Sequence, residues 1–91
     1  MSFEWDPVKA ETNFKKHGVC FAEAEPVFVD DFALTIADDE SDPDERRFIS
    51  IGMGMKARVL VVVYCYRGRN IRIISARLAE THEREQYEEH G

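Results

Sequence analysis

The sequence predicts a single α+β domain over residues 1–91, with its helices kept apart from a run of antiparallel strands. Two observations carry this reading. Asp6-Pro7 opens a helix-like stretch that closes at Gly18, and the strongly apolar, β-branched run Arg58–Arg67 stands among shorter strand-like segments with turn residues between them.

Phe3-Glu4-Trp5 alternates and suits a short edge strand. Asp6 is a good helix cap, and Pro7 at the first helical position gives up an N–H that has no partner there. The first helix then runs to about His17, where Gly18 supplies a left-handed ending. A second short helix is expected over Phe21–Val29, with Phe21, Ala24, Val27 and Phe28 inward and Pro26 as a possible break. Phe32–Ala37, Arg47–Gly52, Arg58–Arg67 and Ile71–Ser75 read as a four-strand meander. Asp38–Asp44 is an acidic turn, and Arg67-Gly68-Arg69-Asn70 closes the last hairpin. A polar helix is expected from about Arg77 to Glu89. The helices should lie mainly on one face of the sheet.

The formal net charge is −6, which argues against indiscriminate binding of polyanions. Its distribution leaves room for a focused cationic site. Met53–Ile74 holds Lys56, Arg58, Arg67, Arg69 and Arg72 and no acid. Cys20 and Cys65 lack metal-like spacing and suggest buried thiols in a reduced, cytoplasmic protein. No secretion signal or membrane span is expected. His17, His82 and His90 form no ligand motif, so neither metal nor cofactor is expected.

Several residue groups could carry chemistry. In IRIISAR (Ile71–Arg77), strand alternation places Ile71, Ile73 and Ser75 on one face and Arg72 and Ile74 on the other. Arg72, Ser75 and Arg77 would suit a phosphate, through guanidinium forks and a hydroxyl donor. The plainer alternative is a charged strand end with Ser75 capping the last helix. Arg58 would join the anion site only with a simple hairpin register. Lys15, Lys16 and His17 could offset the helix dipole, or Lys16 and His17 could contact phosphate and move protons. Glu80, Arg84 and Tyr87 recur on one helical face; a Glu could act as base and a Tyr could stack on a base. No aromatic-rich strand motif for stacking bases stands out along the chain.

Taken together these segments resemble the BrnT toxins of bacterial type II toxin–antitoxin systems. The resemblance runs in order through FEWDPVKAETNFKKHGV, FAEA, VFVD, ERRFISIG, RVLVVVY, IRIISAR and EREQY. Its most specific part is WDPxKAxxNxxKHG followed at a distance by RIISAR. It implies a RelE-like fold and a metal-independent endoribonuclease that slows translation. It implies a BrnA-like ribbon-helix-helix antitoxin as partner in a hetero-oligomer, with DNA met only through that antitoxin. It points to His17, Arg58, Arg72, Ser75, Arg77 and Glu80 as the catalytic set. Lys15, Lys16, Arg67, Arg69 and Tyr87 are the expected RNA contacts. Within that set, His17 and Glu80 are the candidates for proton transfer. The alternative is a weakened homologue that binds its antitoxin and acts as a corepressor.

Overall fold

The computed structural model describes residues 1–40 and 43–90. Residues 41 and 42 of the expected acidic turn lie outside the described residues. Chain order is β1 (Ser2–Glu4), α1 (Pro7–His17), a 3-10 helix (Phe21–Val29), β2 (Leu34–Ala37), β3 (Arg47–Met53), β4 (Val59–Arg67), β5 (Asn70–Leu78) and α2 (Thr81–His90). The α+β class is the one expected. The meander is present, and β1 adds a fifth strand to give the order β1-β5-β4-β3-β2. β1 runs parallel to β5, pairing Phe3 with Ile71 and Glu4 with Arg72.

The local causes are visible in each element. The Asp6 carboxylate accepts the Val8 N–H at 2.8 Å and starts α1. Gly18 ends it at φ +69°, with its N–H on the Phe14 carbonyl at 2.8 Å. Pro26 would break an α-helical ladder, and the segment around it is 3-10 instead. Three residues per turn align Phe21, Ala24 and Val27, and all three are buried. Phe32 belongs to a turn and is exposed, so β2 begins two residues later than expected. Gly68 takes φ +59° at the first position of the two-residue hairpin loop, where a II′ turn needs glycine.

The core lies between one face of the sheet and the α1/3-10 layer. Leu60, Val62, Tyr64, Ile71, Ile73 and Ala76 supply the sheet side; Val19, Phe21, Ala24 and Val27 supply the other. Gly52 and Gly54 permit this close approach. A Cβ on Gly54 would stand 2.8 Å from the Glu23 carbonyl and 2.6 Å from Leu60 Cδ1.

Two expectations about β5 and α2 need correction. First, β5 is longer than Ile71–Ser75 and contains a bulge. Tyr64 pairs with Ile73 but Val63 pairs with Ser75, so Ile74 is an extra residue. The inward set is therefore Ile71, Ile73 and Ala76, and Ser75 leaves the face of Ile71 and Ile73. Second, Arg77 is inside the strand and α2 starts at Thr81, because the ladder persists to Ala79 N–H on the Val59 carbonyl at 2.9 Å. Ser75 therefore caps no helix. Helix α2 packs on β3. It sits where β3 ends, held by Tyr87 Oη donating to Asp30 Oδ2 at 2.6 Å; the Met53 N–H donates to that same oxygen. Of the two free thiols, Cys65 is buried as expected but Cys20 is exposed.

Candidate active site

β1 ends at Glu4, beside Arg72, so the outer edge of β5 beyond that point has no strand to bond. Asn13 of α1 takes that role. Its Nδ2 donates to the Ala76 carbonyl at 2.8 Å and to the Val19 carbonyl at 3.1 Å. Its Oδ1 accepts the Ala76 N–H at 3.2 Å. A buried side-chain amide thus stands in for a strand neighbour and satisfies both backbone groups of one residue. This docks the C-terminal half of α1 against the bulge of β5. Between them is a shallow groove of about 260 Å³, with Lys9, Thr12, Lys16, His17 and Ser75 among its lining residues and no carboxylate among the described residues that line it. Charge in the groove is therefore cationic although the chain is acidic.

The arginines behave differently. Each of the three expected to hold phosphate is held by a carboxylate of its own. Arg58 donates from Nε to Glu23 Oε2 at 2.8 Å and from Nη2 to Oε1 at 2.6 Å, with Glu23 almost fully buried. That pairing raises the Arg58 pKa. Its Nη2 also reaches the Gly18 carbonyl at 3.3 Å. Arg72 donates to Glu4 Oε2 at 2.8 Å, across the β1–β5 pair. The Asn70 amide and then the Arg72 guanidinium hold the Glu4 carboxyl below the usual range. Arg77 makes two parallel bonds to Glu83, at 2.8 and 2.9 Å. Glu83 Oε1 also accepts the Glu80 N–H at 2.8 Å, which caps the start of α2. Mainly through Arg77, the Glu83 carboxyl is lowered to about 2.

A family model described as the ribonuclease toxin BrnT of type II toxin–antitoxin systems matches residues 5–83. The chain belongs to the BrnT family. Among solved structures it is similar to the ribonuclease toxin BrnT of Brucella abortus, determined at 1.1 Å. The TM-score is 0.71 and the identity 28%, with 89% of this chain and 99% of that one covered. Among curated proteins none matches. BrnT membership implies a ribonuclease toxin with an antitoxin partner. No helix among the described residues is long and apolar enough to cross a membrane.

In this BrnT chain the fold brings together only part of the expected site. Lys16, His17 and Ser75 share the groove. Arg58, Arg72 and Arg77 stand apart, each with its own acid. Glu80 precedes α2 and is exposed, 3.6 Å from His82 Nδ1. Lys15 pairs with Glu11 at 2.9 Å on the solvent side of α1, and Arg67 reaches Glu45 at 3.3 Å. Arg69 is exposed in the hairpin loop. Tyr87 cannot stack on a base, because it is buried and its hydroxyl is committed to Asp30. That bond, together with burial, pushes its pKa up to about 12.

Lys9, Thr12 and Asn13 were missed. Lys9 and Asn13 are two of the specified letters of WDPxKAxxNxxKHG, and Lys9, Thr12 and Lys16 recur at helical spacing. That periodicity was the available signal.

Proposed function

We propose that this chain cleaves single-stranded RNA in the α1–β5 groove, without a metal. One observation carries the proposal: Lys9, Lys16, His17 and Ser75 converge where, among the described residues, no carboxylate lines the wall. His17 takes the proton from the ribose 2′-hydroxyl, which attacks the adjacent phosphorus. Lys16 and Lys9 offset the charge that grows on the equatorial oxygens of the phosphorane, and the Ser75 hydroxyl adds a donor. The P–O5′ bond breaks, the departing 5′-oxygen takes a proton from water, and the products are a 2′,3′-cyclic phosphate and a 5′-hydroxyl. Glu80, expected as the second proton-transfer group, has no geometric support, since it does not line the groove. Arg77 contributes only if Glu83 releases it. We read the fold as RelE-like and the partner as a BrnA-like ribbon-helix-helix antitoxin, which would carry the DNA contact of the hetero-oligomer.

A second reading is favoured by the same arginine geometry. With Arg58, Arg72 and Arg77 all neutralised and a net charge of −6, a weakened toxin would persist as an antitoxin-binding corepressor. Cleavage of a defined RNA, with and without ribosomes, separates the two. His17→Ala should lower the cleavage rate on the order of a hundredfold or more, and Lys16→Ala should also lower it. Arg72→Ala should act chiefly through stability. No cleavage by the wild type under either condition supports the corepressor.

A further inference from the structure

Aromatic side chains that are scattered in the sequence become one cluster in the sheet. Phe48 of β3 pairs with Tyr64 of β4, and their rings stack at 5.9 Å. Two residues further along the strand, Tyr66 packs edge-on against both, at 5.6 Å from Phe48 and 5.9 Å from Tyr64. Phe48 is half-buried and Tyr64 buried, but Tyr66 is 57% exposed. Its ring is therefore supported from within and open to solvent. Beside it is a cavity of about 530 Å³ lined by Asp44, Glu45, Arg46, Phe48, Tyr66 and Arg67. That volume falls in the range of small-ligand sites. Arg46 makes no ion pair among the described residues. Arg67 and the Cys65 thiol both bond Glu45 through Oε1, which leaves Oε2 without a protein partner among them.

We propose that this cavity binds a nucleobase of single-stranded RNA, stacked on Tyr66, with Arg46 on the flanking phosphate and Glu45 Oε2 accepting from an amino edge. An open aromatic face beside guanidinium groups is the combination that holds unpaired bases. The cavity also holds the Asp44 and Glu45 carboxylates; with Arg67 tied to Glu45, Arg46 is the guanidinium left to meet a phosphate, and such a polar lining does not suit a purely apolar protein contact. The site lies away from the groove: Tyr66 pairs with Ile71, and Ser75 is four positions further along β5, roughly 13 Å of strand. The inference rests on reading the chain as an RNA-cleaving toxin, and it adds a second contact for the same strand.

The test uses the full chain and a short, 2′-O-methylated single-stranded oligoribonucleotide, which cannot be cut, followed by fluorescence anisotropy. Tyr66→Ala should weaken binding on the order of tenfold, and Tyr66→Phe should retain it. With a cleavable RNA, Tyr66→Ala should raise KM by a similar factor and leave kcat unchanged. Thermal unfolding checks that the Tyr66 variants are folded, as exposure of the ring predicts. Unchanged affinity in Tyr66→Ala overturns the proposal. So does a loss of antitoxin association with RNA binding intact, which would make the patch a protein interface. Normal binding that depends on Tyr66, without cleavage by the wild type, overturns the groove reading and leaves this site standing.

Discussion

Asn13 ties three backbone groups to α1, one just past the helix at Val19 and two on the distant Ala76 of β5, and its removal shows what a single amide can hold. Asn13→Ala leaves the Ala76 N–H and the Ala76 and Val19 carbonyls without their partner in a buried site. Each orphaned group costs about 1–3 kcal/mol, so the variant should lose about 3 kcal/mol or more in urea unfolding. Asn13→Asp keeps the shape but turns the donor into an acceptor that faces two carbonyls, and it should be no better. A loss below about 1 kcal/mol in both would show that the edge of β5 is satisfied in another way. The sequence makes Lys16 and His17 legible, because a helix end marked by glycine places them. It hides Asn13, whose partner Ala76 is 63 residues away. It also hides the fate of the arginines. Met53–Ile74 looks unopposed in the chain, yet Glu23, Glu45 and Glu4 fold back onto its Arg58, Arg67 and Arg72.

Helix α2 has little apolar anchorage and depends on polar ties. Tyr87 is its one buried residue. The Arg77–Glu83 fork joins its first turn to β5 and caps it at the same time. The Glu83 carboxyl is depressed from 4.5 to about 2, so folding favours its ionised form. That contribution is complete above the unfolded value and disappears as pH falls from about 4.5 toward 2. Glu83→Gln should therefore flatten the acid limb of the stability curve and lower stability at neutral pH, as read by circular dichroism during acid titration. An identical acid limb in both proteins would remove Glu83 from the account. The helix itself was legible from its composition, but its start was not. Nothing local announces that the ladder continues through Arg77 or that a bulge at Ile74 reverses the alternation. The 3-10 helix was easier, since its limits coincide with the apolar segment and its period follows from Pro26.

Across the whole molecule, charge pairing limits what RNA can find. The groove offers Lys9 and Lys16 as its constant cations, with His17 beside them. Two or three phosphate contacts on a single strand give a slope of log K against log salt of roughly −1.5 to −2. Affinity for a non-cleavable strand should follow that shallow line between low and physiological salt. A slope several times steeper would mean that the arginines exchange their carboxylates for phosphate. The meander was readable because each strand is a local hydrophobic run. The parallel β1–β5 pair was not, because it joins Glu4 to Arg72 across almost the entire chain. That pairing has a consequence for biosynthesis. Strand β1 and helix α1 leave the ribosome well before β5, the strand on which they sit. Until Ser75 and Ala76 have emerged, Lys16 and His17 have no opposite wall, and Asn13 has no edge to bond. A chain that stops before Ser75 therefore carries no groove, and on the proposed reading of that groove it should be unable to cut RNA.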